Sequence, residues 1–372
     1  MSDLIFYIGP FSYPNGGAAA RRIKGNISTL QELGYEVKII DGDSDIRSKI
    51  DGDITVYSVG ERPNKNASIF RKINQYFFIG QKSIDFIKSQ NQLPKYIILY
   101  SGYSPYLLRF LKFCNENKIK LIFDCVEWYL PKSPCDYAYN AYYWNIELAM
   151  RILIPKCDGV ICISSYLENY YKLKACNTIN IPPTLSIDDL PHKTIQEING
   201  PIRLIYSGSP GHKDLLQKIV DTVSQLSGKF ELDIVGVNGT NSNNIRYHGR
   251  VDHEESVRFV SESHFSVLFR PSNKTSQAGF STKVVESMSC ATPVITNNTG
   301  DLSKYIHDGV NGYIFDGFDN EVLLDKLNSI YISLSTDKYK LISQNSLRDA
   351  KIFFSYNSEV NLNKIKNFFD NL

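Results

Sequence analysis

Residues 277–300 read QAGFSTKVVESMSCATPVITNNTG, a stretch that joins a short helix directly to an apolar strand. Val284, Val285 and Met288 recur at the spacing of one helix face, which predicts a helix that packs on a core. The proline-led run PVITNN at 293–298 follows at once and predicts a strand. A helix and a strand joined so closely are typical of the alternating units of an α/β fold.

The same alternation extends outward through the whole chain. β-Branched runs predict strands at 4–10, 35–41, 54–60, 96–102, 120–126 and 159–165, and again at 202–208, 230–236, 245–251, 265–271, 293–298 and 312–317. Amphipathic stretches between them predict helices at 17–33, 65–90, 104–117, 138–154, 165–174, 213–227, 253–262, 281–290, 301–307 and 320–334.

Segment 180–201 interrupts this alternation, because it carries four prolines and little apolar periodicity. It is predicted to be a linker. We therefore expect an α/β chain of two Rossmann-like, doubly wound domains, at 1–190 and 200–354, that face each other across a cleft. Ligands bind at the carboxyl ends of the strands in such sheets, so the cleft is the expected site.

Composition narrows the class of protein. Lys and Arg number 41 against 39 Asp and Glu, so the net charge of +2 gives no general field for nucleic acid. The seven cysteines form an odd set without a C-x-x-C pair, which indicates reduced thiols and a cytoplasmic protein. Apolar runs are too short to span a bilayer, for which about 18 residues are needed.

Two acidic loops, DGDSD at 41–45 and DGD at 51–53, raise the question of a metal site. Ile46 stands where a calcium loop needs glycine, and Gly52 where it needs a bidentate glutamate. We interpret these loops as solvated carboxylates and expect neither a metal nor another cofactor.

Two glycine-containing loops each join a strand to a helix. In GPFSYPNGGAAARR, Gly16 and Gly17 allow the backbone to approach a ligand closely, although a tight turn alone is the alternative. In YSGSPGHKDLL, Gly208 precedes Lys213 at a helix start, where a lysine and free helix amides can hold a diphosphate.

Two glutamates are candidates for polar contacts with substrate. Glu286 lies off the apolar face of its helix, which Ser281 or Thr282 is placed to cap. Its carboxylate could accept hydrogen bonds from two vicinal hydroxyls, as on a ribose, or could simply be a solvated helix residue. Glu127 follows a first-half strand and could orient or deprotonate an acceptor hydroxyl, with packing or a salt bridge as the alternative.

Seven motifs in a fixed order give the chain a family resemblance. They are GGAAARR, CDGVICISSYLENYY at 157–171, YSGSPGHKD, IRYHGRVDHEESVRFV at 245–260, GFSTKVVESMSCATPVITNNTG, DGVNGYIF at 308–315 and FSYNSEV at 354–360. With these motifs the chain resembles the retaining nucleotide-sugar glycosyltransferases of the large family 4, which share the two-Rossmann GT-B fold. The resemblance implies that a helix at 355–372 returns to the first domain.

The resemblance also implies site residues and a reaction. The first domain would bind the acceptor and the second the nucleotide sugar, with retention at the transferred sugar and without a metal. Gly249 to Val251 would line the base pocket, and Lys213 would pair with the diphosphate. The implied donor site comprises Gly16, Gly17, Gly208, Gly249, Arg250, Val251, Gly279, Phe280, Ser281, Thr282, Lys283 and Glu286, and the catalytic candidates are Lys213 and Glu127.

Three positions depart from the family pattern. Ala278 replaces a glutamate that contacts the donor sugar, and Lys304 stands where an acid is common. The arginine usual near Ser209 is missing, and Lys283 could supply its charge. We expect a hexosyl-type glycosyltransferase of surface-polysaccharide biosynthesis that uses a glycan or lipid-linked acceptor. A non-catalytic glycosyltransferase-like subunit and a sugar-nucleotide epimerase remain alternatives.

Segment 61–89 suggests where the protein works. Its basic residues are Arg62, Lys65, Arg71, Lys72, Lys82 and Lys88, against the acidic Glu61 and Asp85. Aromatic and apolar residues are interleaved with them, and much of that surface could simply pack on the sheet. If part of it faces outward, it would hold the protein at the inner face of an anionic membrane.

Overall fold

The protein is seen in a computed structural model that describes residues 3–62, 68–100, 102–129, 131, 135, 139–191, 197–210, 214–317 and 319–372. The chain divides into two compact units. The first combines Met1–Leu185 with Glu359–Leu372, and the second is Ser186–Ser358.

The first unit is built on an eight-stranded sheet in the order β3-β4-β2-β1-β5-β6-β7-β8. All neighbouring strands are parallel except β3 and β4. The strands are β1 Leu4–Gly9, β2 Glu36–Asp41, β3 Arg47–Asp51, β4 Ile54–Ser58, β5 Tyr96–Leu99, β6 Lys120–Cys125, β7 Gly159–Cys162 and β8 Thr178–Asn180.

Helices cover both faces of this sheet, so its central strands are buried along their whole length. They are α1 Ala18–Glu32, α2 Ile69–Phe78, α3 Gln81–Lys88, α4 Ser104–Asn117, α5 Ala141–Leu148, α6 Ser165–Lys172 and, from the chain end, α13 Glu359–Asp370. A π-helical turn, Ala149–Leu153, and a 3-10 turn, Ile154–Lys156, continue α5.

The C-terminal helix α13 belongs to the core of the first unit. Ile365, Phe368 and Phe369 join the same buried cluster as Ile23 and Ile27 of α1. Burial of each such apolar side chain stabilises a fold by about 1.5–3 kcal/mol, so the returning helix is held by its apolar face.

The second unit contains a six-stranded, wholly parallel sheet in the order β11-β10-β9-β12-β13-β14. Its strands are β9 Ile202–Ser207, β10 Phe230–Val235, β11 Ile245–Gly249, β12 Phe265–Leu268, β13 Val294–Asn297 and β14 Gly312–Phe315. Its helices are α7 Leu216–Ser224, α8 His253–Glu262, α9 Lys274–Ala278, α10 Thr282–Ser289, α11 Asn320–Ser333 and α12 Thr336–Phe353, with a 3-10 turn at Leu302–Lys304.

Every predicted strand is present, but the prediction missed β3, β8, α9 and the long helix α12. The helix predicted at 65–90 is wrong as one element, because Gly80 adopts φ +96° and separates α2 from α3. Glu61 stabilises the break: its Oε1 accepts the backbone N–H of Gly80 at 2.9 Å and of Lys82 at 2.7 Å. Glu61 is therefore a buried helix cap rather than a surface charge.

No helix in the described parts of the chain is long and apolar enough to cross a bilayer.

Candidate functional site

Three adjacent strands of the second unit end in glycines with left-handed backbone conformations. Gly208, Gly236 and Gly249 have φ of +106°, +98° and +68° at the carboxyl ends of β9, β10 and β11. A Cβ on Gly236 would lie 2.8 Å from the backbone of Gly208, and one on Gly208 would lie 2.9 Å from Cε of Lys283. The close backbone contact at Gly236 and the left-handed conformation at all three positions therefore favour glycine in these turns.

Beside these turns, a charged cluster surrounds the carboxylate of Asp214, which is only 2% exposed. Oδ1 of Asp214 accepts a hydrogen bond from Nε of Arg270 at 2.9 Å. Oδ2 accepts from the hydroxyl of Tyr206 at 2.6 Å and forms an ion pair with Lys283. Because two cations surround one anion, these three charged groups carry a net charge of +1.

The electrostatics of the cluster keep Asp214 ionised. Burial by itself would raise the pKa of Asp214, but Arg270 and Lys283 outweigh it, and the pKa lies below its usual value of 3.8. Burial lowers the pKa of Lys283, and the attraction of Asp214 offsets only part of that effect. The lysine is thus a restrained, partly desolvated cation at the glycine turn.

Lys283 lies in the first turn of α10, and its side chain reaches the loop after β9. Its Nζ donates to the Tyr206 hydroxyl at 2.7 Å and to the carbonyl of Ser209 at 3.4 Å. The carbonyl of Ser209 belongs to the loop in which the family arginine is missing. The expectation that Lys283 could place its charge there agrees with this position, and its role in binding stays a prediction.

Arg270 is held in place by the neighbouring strand. The backbone N–H of Arg270 donates to Oδ1 of Asn297 at 3.0 Å, and Nδ2 of Asn297 donates to the Arg270 carbonyl at 2.8 Å. Both residues stand at the carboxyl edge, after β12 and at the end of β13. Sequence reasoning missed Asp214, Arg270 and Asn297, although polar residues that follow two apolar strand runs were a usable signal.

The start of α10 differs from the prediction in one respect. Ser281 occupies the N-cap position, but its hydroxyl makes no capping hydrogen bond, so the predicted cap is wrong for Ser281. Its Oγ is buried and has no hydrogen-bond partner among the described residues. Thr282 is the first helical residue and is half-buried. Glu286, one turn further on, is half-buried, with its Oε1 shielded from solvent and its charge felt at Lys283.

Other donor-site candidates have packing contacts. Val251 packs against a buried cluster that includes Val257, whereas Arg250 is exposed. The ring of Phe280 lies 5.4 Å from that of Tyr305 in an edge-to-face arrangement. Gly279 caps the end of α9 in an extended conformation.

Ala278, in the position of the family glutamate, is wholly buried. Lys304 lies in the 3-10 turn and pairs with Asp301 at 3.2 Å.

A histidine beside the turn at Gly249 was also missed by sequence reasoning. Nε2 of His248 lies 2.6 Å from Oδ1 of Asp233, and the centroid of its ring lies 4.4 Å from that of Phe259, with the two ring planes tilted by 41°. It fixes the end of β11 immediately before Gly249. Lys213, the catalytic candidate, lies outside the described residues.

In the first unit, Gly16 and Gly17 open α1 as predicted, each for a different reason. A Cβ on Gly16 would lie 2.0 Å from the carbonyl oxygen of Ser12, and Gly17 adopts φ +66° at the N-cap. Both positions therefore require glycine for the backbone itself. Their proposed approach to a phosphate stays a prediction.

Beneath the α1 terminus lies a buried ion pair. Nη2 of Arg22 donates to Oδ1 of Asp124 at 2.7 Å, and both residues are 2% exposed. Tyr7 donates its hydroxyl to the same carboxylate, and burial raises the pKa of Tyr7 well above its usual value. This network connects α1 to the sheet. Removal of one partner would leave an uncompensated buried charge, which is strongly destabilising.

Asp124 also lines a cavity of about 270 Å³ at the carboxyl ends of β1, β5 and β6. Glu127, the acceptor-side candidate, lies in the same wall and is half-buried. Asn145 of α5 also lines the cavity. Six aromatic side chains complete the walls: Phe11, Tyr100, Tyr103, Phe123, Tyr129 and Tyr142. The cavity thus combines apolar rings with a few polar groups, as small-molecule sites do.

The prediction that the acidic loops carry solvated carboxylates is wrong for Asp41. Asp41 is fully buried, and its Oδ2 accepts the N–H of Tyr13 at 3.1 Å and lies 3.5 Å from Nζ of Lys49. Asp45, by contrast, is exposed and pairs with Arg47. Among the residues that the structure describes, no three His, Cys, Asp or Glu side chains gather in a metal-binding arrangement.

Comparison with known proteins agrees with this architecture. Residues 208–348 match the family described as Glycosyl transferases group 1, so the second unit carries such a domain. No sequence among the curated proteins matches the chain.

Similar solved structures cover the whole chain. Sucrose-phosphate synthase from Thermosynechococcus elongatus has a TM-score of 0.74 at 15% identity, over 99% of this chain and 98% of its own. Anabaena HepE in complex with UDP and glucose has a TM-score of 0.67 at 14% identity, over 99% of each chain. The lipopolysaccharide outer core galactosyltransferase WaaB, in its apo form, has a TM-score of 0.66 at 14% identity, over 99% of this chain and 100% of its own. The predicted GT-B fold is confirmed.

Proposed function

We propose that the protein is a glycosyltransferase that takes a sugar from a nucleotide-diphosphate sugar and transfers it, with retention, to a glycan or lipid-linked glycan. The proposal includes family 4 membership, a place in surface-polysaccharide biosynthesis and work in the cytoplasm at the membrane face. The single observation that carries it is the cationic glycine turn of the second unit, formed by Gly208 and Lys283 within the matched glycosyltransferase domain.

The cationic turn suits a diphosphate. Lys283 and Arg270 bring two positive charges to the edge where the strands end, and Asp214 neutralises only one of them. Asp214 also fixes both side chains, so little conformational entropy has to be lost when an anion binds. A preorganised cation of this kind binds the diphosphate and also stabilises the charge that develops on it as it leaves.

Glu286 is proposed to hold the ribose of the donor. It projects from the second turn of α10, the helix whose first turn delivers Lys283. One helix therefore carries both a cation for phosphate and a carboxylate for vicinal hydroxyls. The similar structure of HepE is described with UDP-glucose, which supports a nucleotide sugar as the donor class here.

The acceptor is proposed to bind in the cavity of the first unit. Glu127 lies in its wall, where a carboxylate could orient the attacking hydroxyl, and the tyrosine rings offer flat surfaces to the apolar faces of sugars. In the reaction, the bond between the anomeric carbon and the phosphate oxygen breaks, and a bond from that carbon to the acceptor oxygen forms. The acceptor proton passes to the leaving phosphate or to Glu127.

The test is an assay of nucleoside diphosphate released from several nucleotide sugars, with and without candidate acceptor glycans. We expect release with one donor, stimulated by an acceptor, and its loss in Lys283→Met. Lys351→Met, an exposed lysine of the same unit, is the matched control and should retain full activity. Retention is checked by NMR of the anomeric configuration in the product.

The buried Ala278, in the position of the family glutamate, favours a second candidate, a non-catalytic subunit that keeps the fold. Binding of nucleoside diphosphate without release from any donor would support that candidate and contradict the enzyme. Interconversion of the free nucleotide sugar, followed by NMR, would instead indicate an epimerase.

A further inference from the structure

Helix α2 leaves an unusual amount of apolar surface uncovered. Phe70, Ile73 and Phe77 recur at helical spacing and are 83%, 50% and 58% exposed. An outer helix face in a soluble protein is normally polar, because the apolar stripe turns toward the core. The condition that part of segment 61–89 faces outward is therefore met by α2.

A second exposed stripe lies on α5 and the π-helical turn that follows it. Trp144, Leu148 and Ile152 recur every four residues and are 63%, 39% and 51% exposed. The opposite face of the same helix, from Tyr142 through Asn145 and beyond, lines the tyrosine-walled cavity. This helix is therefore apolar on its outer face as well as toward the cavity.

The two helices are joined by direct contacts. The hydroxyl of Tyr76 on α2 donates to Oδ1 of Asn145 on α5 at 2.5 Å. The ring of Tyr76 packs edge-to-face on Tyr103, with centroids 5.9 Å apart, and Tyr103 lines the cavity. Tyr142 both lines the cavity and is 46% exposed, so it lies where the cavity opens to solvent.

Charge selects among possible partners for this surface. Arg71 and Lys72 are exposed between the aromatic residues of α2, and α2 contains no acidic residue. The acidic Glu147 of α5 is engaged by Arg151 and by Nε1 of Trp128, the latter at 2.9 Å. Exposed Phe and Trp interleaved with cations are the composition of helices that lie in the interface of anionic membranes.

We infer that α2 and the segment 141–152 form one docking surface for an anionic lipid bilayer, which brings the tyrosine-lined cavity to the membrane. This inference deepens the proposed function, because it assigns the acceptor to a lipid-linked class. Only the role of the cavity rests on the proposed function. The aromatic residues insert at the depth of the lipid headgroups, and Arg71 and Lys72 bind the anionic lipid.

The first test is co-sedimentation with vesicles of phosphatidylcholine alone or with phosphatidylglycerol. We expect the protein to sediment with the anionic vesicles only, and less at high salt. Phe70→Asp/Phe77→Asp should lower partitioning at least tenfold, whereas Ile332→Asp, an equally exposed residue of the second unit at 82%, should not. Arg71→Glu/Lys72→Glu should abolish the preference for anionic lipid, in contrast to Lys351→Glu/Lys366→Glu with the same change in net charge.

Tryptophan fluorescence locates the contact. Only two tryptophans are present, and Trp128 is 1% exposed, so emission changes on vesicle addition report on Trp144. We expect a blue shift and quenching by brominated phosphatidylglycerol, both lost in Trp144→Phe while sedimentation persists.

Three outcomes would overturn the inference: no sedimentation with anionic vesicles at low salt, sedimentation unaffected by the aspartate pair, or bound protein in which brominated lipid leaves Trp144 unquenched. A dimer in sedimentation velocity that dissociates in Phe70→Asp/Phe77→Asp, without vesicle binding, would assign the surface to a second copy instead. Nucleoside diphosphate binding, measured without vesicles, separates failure of this inference from failure of the proposed function.

Discussion

Lys283 and Tyr206 are 77 positions apart in the sequence, yet Nζ of Lys283 donates to the tyrosine hydroxyl at 2.7 Å and lies 4.3 Å from the ring centroid. The lysine is folded onto the sheet edge instead of extending into solvent. The Tyr206 hydroxyl in turn donates a hydrogen bond to Oδ2 of Asp214 at 2.6 Å, so a neutral group links the cation and the anion. This arrangement orients Lys283 along the glycine turn before any ligand binds.

The carboxylate of Glu286 is predicted to contribute to nucleotide affinity. Glu286→Gln should weaken binding of a nucleoside diphosphate by about 1.5–3 kcal/mol, the range for hydrogen bonds to a charged group. Isothermal calorimetry on the folded variant measures this directly. Glu262→Gln, an exposed residue of the same unit, is the control. Unchanged affinity in Glu286→Gln would remove this residue from the site.

Lys213 and Lys283 are predicted to differ in kinetic effect. Lys213→Ala should lower kcat more than it weakens ground-state binding, if its charge acts on the leaving phosphate. Lys283→Ala should affect both quantities, because the same change leaves Asp214 without one of its two cations. Steady-state kinetics measures kcat and calorimetry measures ground-state binding, so the two effects can be compared in each variant. Equal losses in Lys213→Ala would indicate simple anchoring.

Asp214 gives the second unit a defined acid sensitivity. Its pKa is lowered on folding, so its stabilisation is complete above the unfolded value near 3.8 and is lost as pH falls through the lower, folded value. The free energy of unfolding of the wild type should therefore fall in that acid range. Asp214→Asn should be less stable at neutral pH and show a flatter acid limb in denaturant titrations. Parallel pH profiles would contradict the assignment.

Glu127 is predicted to act on the acceptor and not on the donor. Glu127→Gln should lower acceptor-dependent release by about 10²–10⁴-fold if it is a general base, and leave nucleotide affinity unchanged. A shift in the pH profile of kcat/KM distinguishes this role from packing. Normal turnover in Glu127→Gln would indicate that the leaving phosphate, and not Glu127, accepts the proton of the acceptor hydroxyl.

Metal independence follows from the donor site as proposed, since Lys283 and Arg270 supply the positive charge. Initial rates should be unaffected by excess chelator. Complete loss of activity with chelator, restored by magnesium or manganese, would mean that a metal ion also neutralises charge on the diphosphate.

The sequence by itself determined the repeating strand and helix order, because apolar periodicity is local and its period differs between the two elements. It also located the glycine turns at Gly16, Gly17 and Gly208, since only glycine tolerates such backbone. It could not predict β3 and β8, which are short and lie at the sheet edges, where few apolar residues mark them.

Only the tertiary structure decided which charges meet. Asp214, Arg270 and Lys283 come from three separate segments, and the parallel sheet brings them to one edge because all its strands end on the same side. Burial likewise depends on partners far along the chain: Asp41 looked like a solvated loop residue, but the N–H of Tyr13 and the nearby Lys49 stabilise it inside the fold. Local sequence carries no information about such distant partners, so pairings of this kind emerge only when the sheet is assembled.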